Sequence, residues 1–362
     1  MIRKLTVLAL LATLPVSCVV APPIQASRVE EINAIVHPLL EKHKNMGFAV
    51  GVIQGDQMSV IGYGRVAADN PALPNGDTVY EIGSVTKVFT TYLLADLARE
   101  GTVALNDPIS RHLPRNMKAP REEDREITLE DLATHTSGLP RLPTNLSGSG
   151  DDPYADYSPE RMYEFLGSYR LKRGIGAKCE YSNLGVGLLG HLLERAAKAP
   201  YEELVARRLT SRIGMRSTGI TLADPVKVRL APPYFANGSP AHNWHFKALA
   251  GAGALRSTAN DLLKLVSVNL GRGEPYVAET FASCHAVRVE PNRDSLRVGL
   301  GWHVSPVRPK GPWATWHNGG TEGYSSFIGF IKESRTGVVV LSNTFTPAAD
   351  RIGMDILSKL NP

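Results

Sequence analysis

The segment Glu81-Ile82-Gly83-Ser84-Val85-Thr86-Lys87 begins a strongly helical stretch, residues 84–100, that ends at Gly101. If Ser84 opens this helix, Lys87 lies one turn along the same face, so its amine can approach the Ser84 hydroxyl. A serine hydroxyl is a weak nucleophile until a base takes its proton, and a lysine whose pKa is lowered by burial and nearby cations is such a base. The helix N-terminus adds positive potential and a backbone N–H for an oxyanion. This is the only S-x-x-K of the chain, and the alternative interpretation is a capping serine beside a solvated lysine.

Tyr181-Ser182-Asn183 is the only Y-x-N of the sequence, in a predicted loop just before a helix expected over residues 185–198. A tyrosine hydroxyl beside Lys87 can relay a proton to a leaving group. Asn183 can bond both Lys87 and a substrate amide. The alternative for this triplet alone is a turn with a packed tyrosine.

His317-Asn318-Gly319-Gly320 contains the only H-x-G, between an aromatic segment and a glycine-rich turn. Glycines at this point let a substrate lie against the edge of a strand. His317 can hydrogen-bond the tyrosine or polarise the site, and the alternative is a structural histidine in a turn.

Strand patterns occur at both ends of the chain and helical patterns between them. Apolar runs at 48–53 and 58–63 predict a hairpin, as do runs at 327–331 and 338–341, and helices are expected over 28–43 and 348–360. The middle of the chain predicts helices at 159–169, 201–209 and 260–270. We therefore expect one antiparallel sheet assembled from both termini, with flanking helices and an inserted helical lobe.

The three motifs, in this order, are the signature set of the penicillin-recognising serine hydrolases. The chain resembles the branch that contains class C β-lactamases, serine DD-peptidases, D-aminopeptidases and related esterases. Residues 105–108, 132–140 and 251–261 look like the same branch. The resemblance implies a β-lactamase-like fold of mixed α/β and all-α parts, one catalytic domain over 30–362. Its α/β lobe would be discontinuous, 27–83 plus 295–362, and its helical lobe would be 84–294.

The resemblance also implies a role for each motif residue. Ser84 would be the acylated nucleophile, and Lys87 with Tyr181 the coupled base and proton relay. The backbone N–H groups of Ser84 and Gly320 would form the oxyanion hole. No metal ion or organic cofactor is implied. The substrate-binding residues would be Asn183, His317, Asn318 and Gly319.

One departure from the pattern bears on the substrate. Typical class C β-lactamases carry K-T-G at the third motif, where the lysine and threonine bind the β-lactam carboxylate, and this chain has His317-Asn318-Gly319. We therefore expect a DD-peptidase, D-aminopeptidase or esterase acting on D-residue-containing peptides, amides or small esters. The alternatives are a true β-lactamase and a penicillin-binding sensor or scaffold without turnover. If a β-lactam carboxylate is held outside the third motif, Arg256 and Arg297 are the next candidates, because they lie close in sequence to segments expected to line the groove.

A conventional Ser-His-Asp triad would use His135. The chain has no G-x-S-x-G elbow, and His135 lies in a Thr-His-Thr-Ser-Gly turn that the resemblance treats as structural.

The N-terminus has the features of a signal peptide over residues 1–26, with Arg3 and Lys4 before an apolar run at 5–14. We expect an exported protein, periplasmic or secreted, with a lipid anchor at Cys18 as a further option.

The whole chain has a net charge of +5, and removal of this segment leaves 38 basic against 35 acidic residues, or +3. That small, dispersed charge argues against nucleic acid as a partner and for a small-molecule or peptide substrate. Cys179 and Cys284 are either one disulfide or two thiols, and the sequence does not define an oligomeric state.

Overall fold

Both ends of the chain contribute strands to one antiparallel sheet. The computed structural model describes residues 21–40, 46–146, 152–292 and 294–362, so most of the predicted signal segment, with Cys18, lies outside the described residues. The sheet has eight strands in the order β2-β1-β10-β9-β8-β7-β6-β5, and β3 pairs with β4 in a separate ribbon. The strands are β1 (Gly47–Gln54), β2 (Gln57–Gly64), β3 (Val79–Glu81), β4 (Arg256–Thr258), β5 (Val289–Asn292), β6 (Leu296–Val298), β7 (His303–Pro306), β8 (Trp313–Gly320), β9 (Ser325–Ile331) and β10 (Thr336–Ser342).

Eleven α-helices flank or extend this sheet within the described ranges. They are α1 (Ala26–Leu40), α2 (Thr86–Arg99), α3 (Leu129–Ala133), α4 (Pro159–Ser168), α5 (Asn183–Ala197), α6 (Tyr201–Val205), α7 (Asp224–Lys227), α8 (Ala250–Gly253), α9 (Ala259–Asn269), α10 (Pro275–His285) and α11 (Ala348–Leu360). None of them combines the length and the apolar character that crossing a membrane requires.

The pairing of β1 with β10 joins the two termini. Phe48 lies opposite Ser342, and Gln54 opposite Thr336. Both predicted hairpins are confirmed: β1 and β2 pair in register across a two-residue turn, and β9 pairs with β10. The sheet expected from the sequence is therefore present.

The two faces of the sheet are covered by different helices. On one face α1 and α11 pack against β-strand side chains such as Phe48 and Val50, and on the other face Ala49 and Val339 join the core of the helical part. Helix α2 lies inside that second core, and every residue from Thr86 to Leu97 is buried. Because α2 is packed on all sides, it is held in a single position. Its first turn, which carries the reactive groups, is therefore fixed next to the end of the sheet.

Several boundaries differ from the prediction. Helix α5 begins at Asn183, two residues before the expected start, because the Ser182 hydroxyl accepts a hydrogen bond from the Gly185 N–H and caps the helix. Strand β5 belongs to the sheet although it lies within the predicted helical lobe 84–294, and β4 also lies in that range. Cys179 and Cys284 are both free thiols, so the disulfide alternative is wrong.

Candidate active site

The first turn of α2 is pressed against the end of β8. Residues Gly83–Val85 form a 3₁₀ turn before α2, and Gly83 has a φ of 47°, in the left-handed region that favours glycine. A Cβ at Gly83 would lie 2.7 Å from the Gly320 carbonyl oxygen. Both the positive φ and the close contact with Gly320 therefore require glycine at position 83. This arrangement brings Ser84 next to the end of β8.

Lys87 is completely buried behind Ser84. Its Nζ lies at hydrogen-bond distance, 2.9 Å, from Ser84 Oγ and donates hydrogen bonds to Asn183 Oδ1 at 2.9 Å and to the Ala252 carbonyl at 2.7 Å. Among the described residues no carboxylate lies within ion-pair distance of this amine. Burial, followed by the charge of Arg141, lowers the pKa of Lys87 well below that of an ordinary lysine.

Tyr181 lies over this lysine. Lys87 Nζ is 4.9 Å from the centroid of the Tyr181 ring, and a hydrogen bond with Ser84 favours the ionised form of Tyr181. Burial is the larger effect and raises the pKa of Tyr181 above its usual value, so the phenol is neutral at neutral pH. The structure thus brings Ser84, Lys87, Tyr181 and Asn183 together, as the three-motif pattern predicts.

His135 packs beneath Tyr181 and has no triad geometry. The two rings are 4.5 Å apart, and His135 Nδ1 accepts a hydrogen bond from the Ser182 N–H at 3.2 Å. Its backbone has a φ of 62°, which fits the tight turn that the sequence indicates. Because Nδ1 is engaged by an amide rather than a carboxylate, this histidine supports the Tyr181 loop, and the Ser-His-Asp alternative is wrong.

His317 is buried behind the cleft, with its ring packed against His303 and Tyr181. Its side chain is 1% exposed, and its Nδ1–H donates to the Asn318 carbonyl at 2.5 Å. The ring centroid is 6.3 Å from that of Tyr181, and Nε2 is buried without a hydrogen-bond partner among the described atoms. Burial, with the charges of His303 and Lys87, lowers the pKa of His317, so this imidazole is neutral. The structure therefore places the His317 ring beside Tyr181 without a hydrogen bond between the two, and His317 is not among the residues that line the cleft.

The free edge of β8 faces Ser84. Strand β7 pairs with β8 only from Trp313 to Trp316, whereas β9 continues to Gly320. A Cβ at Gly319 would lie 2.1 Å from the Ile82 carbonyl oxygen and 2.9 Å from the Ser84 nitrogen. This contact leaves no room for a side chain, so the strand backbone lies directly beside the Ser84 N–H.

These elements enclose a cleft of about 760 Å³ that contains Ser84, Tyr181 and Asn183. Asn318 and Gly319, which the resemblance assigns to substrate binding, line it together with Gly320. The remaining lining residues are Arg141, Leu142, Tyr154, Phe235, Trp244, His303, Thr321, Glu322, Ser325, Phe345, Thr346, Pro347 and Asp350.

The Asn318 side chain is held by an acid from α11. Its Nδ2 donates to Asp350 Oδ2 at 2.5 Å. Burial raises the pKa of Asp350 to about 6, although the hydrogen bond from Asn318 acts in the opposite direction. The sheet side of the cleft therefore carries an acid that titrates near neutral pH.

Sequence reasoning missed three features of this site. Ala252 contributes a backbone carbonyl to Lys87, and it lies in the 251–261 stretch already noted for its resemblance. Arg141 directly follows the 132–140 stretch, and Asp350 lies in the first turn of α11, but no motif marks either one. Only the tertiary fold places Arg141 and Asp350 in the cleft.

The two arginines considered as carboxylate binders lie elsewhere. Arg256 Nη2 is 3.1 Å from Glu81 Oε1 in a buried ion pair. The Arg297 guanidinium lies 4.1 Å from the centroid of the Trp313 ring, and neither arginine lines the cleft. That expectation is therefore wrong for both.

A nucleophile-bearing helix beside an antiparallel sheet, with a buried lysine, a tyrosine and an asparagine around the serine, defines the penicillin-recognising serine hydrolases. The chain belongs to the Beta-lactamase family, whose sequence profile matches residues 32–360, and it is a hydrolase of that family.

Curated relatives include two kinds of enzyme. The D-alanyl-D-alanine-carboxypeptidase/endopeptidase AmpH of Escherichia coli (strain K12) is 30% identical over 309 residues, covering 82% of this chain and 78% of AmpH. A Beta-lactamase of Pseudomonas fluorescens is 25% identical over 352 residues, covering 89% of this chain and 95% of that enzyme.

Solved structures agree on the fold. The Beta-lactamase/D-alanine Carboxypeptidase from Yersinia pestis, complexed with citrate, is similar with a TM-score of 0.78 at 24% identity, over 93% of this chain and 98% of that one. D-alanine Carboxypeptidase AmpC from Burkholderia cenocepacia gives a TM-score of 0.76 at 25% identity, over 90% of this chain and 98% of that one. The β-lactamase-like fold implied by the resemblance is confirmed.

Proposed function

We propose that this chain is an exported serine hydrolase that forms an acyl-enzyme at Ser84 and hydrolyses peptides or amides containing D-residues, or small esters. The observation that carries the proposal is the 2.9 Å hydrogen bond between Lys87 Nζ and Ser84 Oγ, inside a buried site without a carboxylate partner for the amine in the part of the chain that is described.

The charge state of Lys87 supports its role as the base. A buried amine without a counterion is stabilised in its neutral form, because burial penalises the ammonium and the nearby Arg141 adds repulsion. A neutral amine has a lone pair for the proton of the Ser84 hydroxyl. Its two N–H bonds then remain for Asn183 Oδ1 and the Ala252 carbonyl, which hold the lone pair towards Ser84.

In the acylation step Ser84 Oγ attacks the substrate carbonyl carbon while Lys87 takes the hydroxyl proton. The N–H groups of Ser84 and Gly320 stabilise the oxyanion, and the close contact of β8 with the Ser84 backbone supports this pairing. Tyr181, which is neutral in the free enzyme, donates its hydroxyl proton to the leaving group and then receives a proton from Lys87. Water then attacks the acyl-enzyme with the same groups acting in reverse order.

The substrate class is supported by the cleft and by one relative. AmpH of Escherichia coli is named for D-alanyl-D-alanine carboxypeptidase and endopeptidase activity, and it is 30% identical to this chain. Aromatic residues Tyr154, Trp244 and Phe235 line the cleft and offer apolar surface to an acyl group. Export rests on the signal-like segment at residues 1–26.

The nucleophile is tested by Ser84→Ala, with Ser211→Ala as a matched control on the exposed surface. We expect Ser84→Ala to abolish both ester hydrolysis and covalent labelling by a fluorophosphonate, measured by intact-protein mass spectrometry, while Ser211→Ala behaves like the wild type. Labelling that persists in Ser84→Ala would overturn the assignment.

A substrate panel then tests the class. We expect turnover of p-nitrophenyl esters and of peptides ending in D-Ala-D-Ala, or of D-amino-acid amides, with slower turnover of nitrocefin. Faster turnover of nitrocefin would favour the β-lactamase alternative. Acylation by penicillin with no turnover of any substrate would favour the sensor or scaffold.

A further inference from the structure

The cleft contains one fixed cation that none of the three motifs includes. Among the described residues that line it, Arg141 alone carries a permanent positive charge, whereas Glu322 and Asp350 are acids. Resting on the function proposed above, we propose that Arg141 binds a carboxylate on the leaving-group side of the substrate, so that the enzyme prefers leaving groups that carry a free carboxylate.

The backbone of Arg141 is tied to the helix that carries Asn183. The carbonyl of Arg141 accepts hydrogen bonds from the N–H groups of Asn183 at 3.0 Å and Leu184 at 3.2 Å, in the first turn of α5. The side chain therefore projects from a fixed point beside the reactive groups, although its guanidinium is exposed to solvent. The fixed backbone sets the region that the guanidinium can reach, and the planar guanidinium is already arranged to bind a carboxylate.

The guanidinium also lies on the leaving-group side. Its central carbon is 5.1 Å from the centroid of the Tyr181 ring, and Tyr181 is the residue that the mechanism uses to protonate the leaving group. A carboxylate attached to that leaving group would be released beside Arg141.

Arg141 has unused hydrogen-bonding capacity. No carboxylate of the described chain lies within 4.0 Å of it, whereas other arginines around the helical part have acid partners, such as Arg125 with Asp131 at 2.9 Å and Arg208 with Asp96 at 2.7 Å. A guanidinium presents five N–H donors in a planar arrangement that matches a carboxylate in a bidentate pair. The vacant donors face solvent at the cleft, where a substrate enters.

The opposite wall disfavours the same ligand. Asp350 and Glu322 line the sheet side, and Asn318, which stands where K-T-G relatives have a threonine, donates its side-chain N–H to Asp350. An anionic substrate group is repelled there and attracted to Arg141. The charges of the two walls therefore favour one orientation of an anionic leaving group, with its carboxylate towards Arg141 and away from Asp350.

The test uses two thioesters of the same N-acylglycine, one releasing thioglycolate, which carries a carboxylate, and one releasing neutral thioglycolamide. Thiol release is followed for the wild type, Arg141→Gln, Arg141→Lys and the control Arg115→Gln, an exposed arginine outside the cleft. We expect the wild type to favour the thioglycolate ester by about tenfold in kcat/KM, the effect of one charge-assisted contact. Arg141→Gln should lose this preference, so that its two kcat/KM values become equal; a change in the basicity of Lys87 on loss of the Arg141 charge affects both thioesters alike and cancels in their ratio. Arg141→Lys should retain part of the preference, and Arg115→Gln all of it.

Two outcomes would overturn the inference while leaving the hydrolase intact: a wild type that turns over both thioesters equally, or an Arg141→Gln variant that keeps the preference. Failure of the wild type to hydrolyse either thioester, together with no fluorophosphonate labelling at Ser84, would overturn the proposed function and this inference with it. Thermal unfolding of each variant shows that the fold is retained.

Discussion

The two walls of the cleft carry opposite charges and different kinds of functional group. The helical wall supplies side chains: the buried amine of Lys87, the phenol of Tyr181 and the exposed guanidinium of Arg141. The sheet wall supplies backbone N–H groups at the free edge of β8 and an acid, Asp350. In the proposed mechanism, proton transfer and anion binding belong to the helical wall, whereas the carbonyl is polarised by the Gly320 N–H of the sheet wall together with the Ser84 N–H at the start of α2. A missing lysine in the third motif consequently does not remove positive charge from the cleft.

The largest effects should come from the helical wall. Lys87→Met, which keeps the buried volume, and Tyr181→Phe should each lower kcat by roughly a hundredfold or more, because each removes positioned acid–base help. The double variant should lose far less than the product of the two, since the residues act as one unit. The measurement is steady-state hydrolysis of a p-nitrophenyl ester.

Unfolding curves of the same variants serve as the control, because Lys87→Met leaves Asn183 Oδ1 and the Ala252 carbonyl without their buried donor. Multiplicative losses in kcat would mean that Lys87 and Tyr181 act in separate steps, and the coupled relay would then be wrong.

A glycine pair on the sheet wall should give intermediate effects. In Gly319→Ala the new Cβ meets the backbone at Ile82 and Ser84, so β8 must move away from Ser84 and the oxyanion contact widens. We expect a loss in kcat of about tenfold or more, as for one displaced oxyanion donor, and a destabilisation of about 1–3 kcal/mol from overpacking.

Gly320→Ala is the matched control. Its Cβ would lie 2.6 Å from the Phe345 ring, which is 55% exposed and can turn aside, and at an ordinary contact distance of 3.6 Å from the Tyr324 carbonyl oxygen. Its kcat should stay close to that of the wild type. An unchanged kcat in Gly319→Ala would show that the β8 edge does not position the oxyanion.

Local patterns predict much of this fold. Both hairpins are present, and the last helix has the predicted bounds, 348–360, because apolar periodicity and turn residues act over a few positions. The meeting of Ser84, Lys87 and Asn183 is also as predicted. For the serine and lysine it follows from helical spacing, and for Asn183 from the resemblance.

The remainder depends on long-range packing. Strand β5 carries little apolar pattern, with three exposed residues in four, and only pairing with β6 identifies it as part of the sheet. The direction of His317 depends on the register of β8, since alternate residues of a strand point to opposite faces. Asp350 reaches Asn318 through the docking of α11, 32 positions further along the chain, and no local signal predicts that contact.

The smallest effect on the preference between the two thioesters should come from ionisation of Asp350. It tests whether the charge of the sheet wall opposes the attraction of Arg141 on the helical wall. Since burial raises the pKa of Asp350 to about 6, this acid is mostly neutral at pH 5 and charged at pH 8. Its charge then opposes an anionic leaving group. The preference for the thioglycolate over the thioglycolamide ester should therefore fall by about threefold as the pH rises through 6, the size of a partly screened interaction. Ionisation of Lys87 changes the rates of both thioesters alike and cancels in the ratio of their kcat/KM values.

Asp350→Asn is the control and should keep this ratio constant across the pH range, at the level that the wild type shows at pH 5. A wild-type ratio that does not change with pH, or a pH dependence that survives in Asp350→Asn, would mean that the sheet wall does not sense the substrate charge.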